Sequence, residues 1–122
     1  MPHAEIKYSN NLAIDANEMF SLIENIINRH DSNSGECKCR AYPYDQYKYP
    51  HILITITMLT KPHRDETFTR QLIKDIEARL KKRIRQSCYF SLLIEYSPSS
   101  YITNEHLIDG DELQKYQPAN SQ

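Results

Sequence analysis

The residue with the most chemical potential stands second. In the opening stretch "MPHAEIKY" (residues 1–8) a proline directly follows the initiator methionine. Proline starts strands at little cost because it has no backbone N–H to pair, and a strand start is one reading of Pro2. The other reading is chemical. Removal of Met1 leaves Pro2 with a free secondary amine. An α-amine titrates at about 7.7 to 8.0, so it can take up and return a proton near neutral pH. The ring also holds the lone pair in a fixed direction. The other reactive residues offer less. Cys37, Cys39 and Cys88 are an odd number, as expected of free thiols in a reducing compartment. Cys37 and Cys39 form Cys-x-Cys, which lacks the spacing of paired zinc ligands. The five histidines, His3, His30, His51, His63 and His106, fall in no HExxH or other paired spacing. No bound metal is expected. With two glycines, no GxGxxG and no phosphate loop, no nucleotide or flavin is expected either.

The elements that must position Pro2 follow from periodicity. His3, Glu5 and Lys7 alternate with Ala4, Ile6 and Tyr8, the period of a half-buried strand over residues 3–8. "SNN" breaks it. Asp15 is a helix N-cap candidate with Glu18 three residues on. Met19, Phe20, Ile23, Ile26 and Ile27 then recur at three and four, which predicts a helix closing near His30. After the turn cluster "DSNSG", a strand is expected over about 37–43. Cys37, Cys39 and Ala41 would face one side, with Lys38, Arg40 and Tyr42 on the other. A tyrosine-rich connection carries Tyr42, Tyr44, Tyr47 and Tyr49, residues best suited to packing or an interface. "HILITITML" (51–59) reads as a central strand, apolar on both faces. Phe68, Leu72, Ile76, Leu80 and Ile84 step by four, which predicts a second helix over about 65–86. "CYFSLLIEY" (88–96) is the last strand.

The order is β-α-β-β-α-β, an α+β fold of two βαβ-like halves with both helices on one face of a four-stranded sheet. The other face is expected to be apolar and uncovered, and a face of that kind marks an interface. Sheet-to-sheet packing in an oligomer follows. The 122 residues are one domain's worth. Residues 1–97 form the domain, and the mostly polar 98–122 an extension that packs on a neighbouring subunit or stays loose. A net charge of −1 implies no nucleic-acid partner, and the "KKRIRQ" run (81–86) reads as a solvated helix end. No apolar run approaches the roughly 18 residues that span a membrane, and no secretory signal opens the chain. A cytoplasmic protein without a membrane partner is expected.

The "MPH" start, the segments "MPHAEIKYSNNL", "ECKCRAYPYDQY", "HILITITML" and "TKPHRDETFTR", and their spacing over residues 2–96 resemble the tautomerase superfamily. More narrowly, they resemble the 5-carboxymethyl-2-hydroxymuconate isomerases. The resemblance implies a homotrimer whose three sheets enclose an apolar barrel, with a site near each N-terminus at a subunit boundary. It implies a cofactor-independent isomerase of aromatic-acid catabolism that moves a proton along a carboxylated dienol. The proton carrier would be Pro2, and the substrate's carboxylates would be held by Arg64, Lys38 and Arg40. Burial beside cations would lower the Pro2 amine's pKa, since both disfavour the ammonium form. The same cations would stabilise charge developing on the dienolate. Lys38 stands where the family has arginine, which keeps the charge but loses the bidentate grip. Arg64 lies near a helix start, a place the dipole disfavours for a cation. Two other readings remain. One is a non-catalytic trimer of the same fold that binds a small carboxylate or a protein. The other is a ferredoxin-like ligand-binding module with the same coarse order.

Overall fold

A computed structural model describes residues 1–108. Its elements are β1 (His3–Ser9), α1 (Ala16–His30), β2 (Lys38–Tyr44), β3 (His51–Met58), α2 (Glu66–Lys81) and β4 (Tyr89–Tyr96). The sheet runs β2-β1-β3-β4. Each half is a parallel pair joined by its helix, β1 with β2 and β3 with β4. The halves meet through the antiparallel central pair β1 and β3. The β-α-β-β-α-β expectation describes this architecture.

Both helices start where their aspartates can cap them. Asp15 accepts from the Glu18 N–H at 3.2 Å and Asp65 from the Phe68 N–H at 2.9 Å, each satisfying an orphan donor of the first turn. One apolar cluster holds the layers together. Ala4 and Ile6 of β1 and Ile52, Ile54, Ile56 and Met58 of β3 meet Met19, Ile23, Ile26 and Ile27 of α1 and Leu72, Ile76 and Leu80 of α2. Fully burying each of the larger side chains contributes about 1.5–3 kcal/mol. His30 Nε2 and Asp75 Oδ2, 2.9 Å apart, add a polar link between the helices.

Two expectations change. The second helix stops at Lys81, five residues short of its expected end. Arg83 and Ile84 donate to Leu80 and Lys81, so the last turn tightens and leaves the helix, while Ile84 still packs on the core. Four-residue spacing cannot tell a helix from a turn that keeps one apolar residue on its face.

The uncovered sheet face is also mixed rather than apolar, with Tyr42, Leu53, Tyr89 and Leu93 exposed among polar and charged side chains. It carries His3, Glu5 and Lys7 of β1, Lys38, Arg40 and Tyr42 of β2, Leu53, Thr55 and Thr57 of β3, and Leu93 and Glu95 of β4. The β3 residues alternate strictly between buried and more exposed, so that strand buries its helix side alone, and on its open side Leu53 stands beside two threonines. Threonine has the β-branched shape that favours strands, and its hydroxyl suits a wet face.

Candidate active site

Pro2 is buried at the head of β1, the strand between β2 and β3. On one flank its carbonyl accepts from the Lys38 N–H at 2.9 Å. On the other, the antiparallel register pairs His3 with Thr57, so the chain beyond Met58 leaves β3 beside the N-terminus. That chain is the loop "LTKPHRD". The fold therefore brings the β2 start and the β3–α2 loop to the same end of the sheet as Pro2. Burial, and then the charges of Arg64, Lys61 and Lys38, hold the Met1 amine below its ordinary value of 8.0. The fields of three cations thus reach the amine one residue before Pro2.

They are not equivalent. Arg64 is almost wholly buried, its side chain 3% exposed, and it is held by the first half of the molecule. Nε and Nη2 donate to Asp31 Oδ2 at 3.0 and 2.8 Å, Nη2 also to Ser34 Oγ at 3.1 Å, and Nη1 to the Leu59 carbonyl at 2.7 Å. Most of its donors are therefore engaged, and a bidentate grip on an incoming carboxylate is not open to it. His63 adds a hydrogen bond to the same Asp31 oxygen at 2.8 Å. Burial alone would raise the Asp31 pKa. The hydrogen bonds from His63 and Arg64 overcome that and hold it at about 2.

Lys38 is half-buried, with its Nζ 3.2 Å from the exposed Glu36 carboxylate and 4.0 Å from Met1 Sδ. Arg40 shares the Lys38 face of β2 but turns along the sheet. Its Nε donates to Glu5 at 3.1 Å and both Nη atoms approach His3 Nδ1 at 3.4 Å. Burial and then the Arg40 charge lower the His3 pKa, which favours a neutral imidazole beside Pro2. Of the predicted cations, then, Lys38 and Arg64 lie near the N-terminus, and Arg40 is tied to Glu5 and His3.

Sequence reasoning missed Lys61 and the Asp31–His63 pair. The signal for Asp31 was present. An acidic residue closing a helix opposes the dipole, as does Arg64 beside the start of α2, and the two misplaced charges answer each other. Among the described residues no three His, Cys, Asp or Glu side chains converge on a metal-sized site. Among them, too, no helix is long and apolar enough to cross a membrane.

No protein-family model matches the sequence, and no curated protein matches it either. Solved structures do match in shape. A 5-carboxymethyl-2-hydroxymuconate isomerase from Deinococcus radiodurans R1 aligns with a TM-score of 0.63 at 15% identity, over 86% of this chain and 90% of that one. The W0 fused 4-OT wild-type symmetric trimer aligns at 0.62 and 12%, over 86% and 96%. A macrophage migration inhibitory factor-like protein from Entamoeba histolytica aligns at 0.53 and 11%, over 84% and 95%. At such identities the likeness speaks to the fold alone. The chain has the tautomerase-like β-α-β-β-α-β fold.

Proposed function

We propose that this protein is an enol–keto tautomerase whose acid/base is the Pro2 amine freed by removal of Met1. Its substrate is a carboxylated dienol of the 5-carboxymethyl-2-hydroxymuconate kind. One observation carries the proposal: a buried proline heads the central strand pair of a tautomerase-like fold, and the charges of Arg64, Lys61 and Lys38 are felt at the amine just before it. The amine takes a proton from the dienol and returns it to carbon, giving the unsaturated ketone. Desolvation and the three charges keep the amine neutral enough to act as base. Lys38 holds a substrate carboxylate. Arg64 acts through its charge and by fixing the loop, not by gripping the substrate. Arg40, oriented by Glu5, faces the open side of the sheet and sets the charge there.

The active unit in this proposal is a homotrimer, with each site completed at a subunit boundary. The unpaired edges of β2 and β4 and the uncovered face in one subunit support it, as does the symmetric trimer of the fused 4-OT. The space that three such sheets enclose is lined by polar and charged side chains as well as Leu53 and Leu93. The extension beyond residue 97 packs on the neighbour. Tyr101, Ile102, Leu107 and Ile108 are exposed in the single chain and available for that contact, and residues 109–122 lie outside the described residues.

The test is the intact mass of untagged protein, followed by ultraviolet assays of dienol ketonisation. Loss of Met1, with turnover that drops about 10²-fold or more in Pro2→Ala, is the expected result. Retention of Met1 in the natural protein leaves an amide at Pro2 and turns the reading to a binding module of the same fold.

A further inference from the structure

We infer that Cys37 and Cys39 form a redox-responsive dithiol, closed to a disulfide by exchange with a low-molecular-weight disulfide, and that closure loosens the hold of β2 on Pro2. The chemistry does not depend on the reading of Pro2 as a base. The two thiols meet at the start of the edge strand β2. Residues two apart in a strand share a face, and both half-buried side chains pack against the core. The Cys39 thiol donates to the Cys37 carbonyl at 3.5 Å, which leans its sulfur toward residue 37. The two thiols also hydrogen-bond each other.

The two sulfurs have different parts. The hydrogen bond from Cys37 holds the Cys39 thiol below its ordinary pKa, and the charges of Arg40 and Lys38 act the same way, against burial and the Glu24 carboxylate. The same bond, and then burial, push the Cys37 thiol up. Cys39 is therefore the attacking thiolate. It bonds to one sulfur of the incoming disulfide and expels the other half as a thiolate. The Cys37 thiol then gives up its proton and displaces the remaining half from Cys39. The protein dithiol loses two electrons and two protons, and the small disulfide gains them and leaves as two thiols. Cys88 lies beside the far edge strand, where burial raises its pKa.

Closure strains one point of the sheet. Two residues of extended strand span about 6.6–6.8 Å. That is the upper end of the Cα separations that a disulfide bridges, and most bridges sit near about 5.5–6 Å. The bridge therefore shortens the chain at Lys38. Both flanks are pinned. The Cys37 N–H donates to Glu24 Oε2 of α1 at 2.8 Å, and Cys39 and Arg40 pair with Ala4 and Glu5 of β1. Lys38 is left to move, and its N–H is the donor that holds the Pro2 carbonyl at 2.9 Å. A transient, sensing disulfide is the kind that a reducing compartment allows.

The experiment treats the full chain with glutathione disulfide. Trypsin cuts the denatured chain after Lys38, so a bridge appears in mass spectrometry as the Cys37 and Cys39 peptides joined, with Cys88 still free. Amide exchange at Lys38 should then quicken at least about tenfold and return to its starting rate with dithiothreitol. Cys39→Ser should slow the reaction with glutathione disulfide at least about tenfold, and Cys37→Ser should stop at a mixed disulfide on Cys39. If either variant does not fold, iodoacetamide on the wild type serves, and Cys39 should be alkylated at least about tenfold faster than Cys37 or Cys88. Failure of the tautomerase reading would appear in turnover, and failure of this inference in the thiols and the Lys38 amide. No bridge, oxidation that falls first on Cys88, or a Lys38 amide that exchanges alike in both states overturns it.

Discussion

The two halves of the molecule begin alike and end differently. Each opens on Pro-His, Pro2-His3 before β1 and Pro50-His51 before β3. In each, the proline carbonyl accepts from the first N–H of the parallel neighbour, Lys38 at 2.9 Å in one and Tyr89 at 3.0 Å in the other. An aspartate caps the helix of each half. The surroundings then diverge. Pro2 is buried, and the charges of Arg64, Lys61 and Lys38 reach the amine just before it. Pro50 is half-buried, follows Tyr49 in the left-handed region at φ 67°, and meets Tyr89, whose ring packs edge-on against that of Tyr49. Its nitrogen lies within the chain and can never be an amine. In the proposed reading the same backbone arrangement serves chemistry at one end and an aromatic corner at the other, and it is the side chains, not the fold, that would assign the function.

The sharpest way to break this comparison is to exchange the two prolines for alanine in turn. Pro2→Ala should lower kcat/KM for dienol ketonisation by about 10²-fold or more, as loss of a positioned acid/base does. Pro50→Ala should leave it within about twofold, since it touches no charge and no proton. Equal losses would mean that both changes act through the sheet, and the catalytic reading of Pro2 would fail.

The helix ends give the next contrast. α1 closes on Asp31, whose side chain is 6% exposed and locked to Arg64. α2 closes among solvated cations, where Arg83 reaches Glu18 at 3.4 Å with both side chains more than two-fifths exposed. Arg64→Met strands a buried carboxylate and should cost about 3–5 kcal/mol in denaturant unfolding. Arg83→Met should cost less than about 1 kcal/mol. The pH dependence has a definite sign. Asp31 ionises more readily folded than unfolded, with its pKa lowered from 3.8 to about 2. Its contribution, roughly 2 kcal/mol, is present above the unfolded value and lost as pH falls through the folded one. The stability gap between wild type and Asp31→Asn should therefore narrow as pH drops from about 4 toward 2. A gap independent of pH would show that the Asp31 charge does not matter.

How much of this was legible in the sequence depended on how local the cause was. The strands, the α1 boundaries and the Asp15 cap are set by residues within a few positions of one another, and periodicity read them. Pro2 stood out because the chemistry proposed for it follows from its place directly after Met1. The end of α2 did not, because Ile84 keeps its apolar face whether or not the helix continues. The polar share of the open sheet face was missed because threonine shares the branched shape of valine and isoleucine. The setting of Arg64 depends on Asp31, 33 residues away, and no local pattern pairs them. Two charges each placed against a helix dipole were the nearest thing to a warning.

The smallest expected effect tests whether the scaffold is as even-handed as the comparison claims. Asp15 and Asp65 have extended backbones, and each accepts from an N–H three residues on. Neither pairs with a cation among the described residues, so each should act as a cap and little else. Asp15→Ala and Asp65→Ala should each cost about 1 kcal/mol in unfolding, and the double variant about the sum, because the sites share no partner. Asp65 adjoins Arg64, and that neighbour sets it apart from Asp15. If Asp65→Ala costs clearly more, the added loss belongs to the loop that Arg64 holds. If the two costs match, capping is independent of the site, and the difference between the halves begins only at the side chains around Pro2.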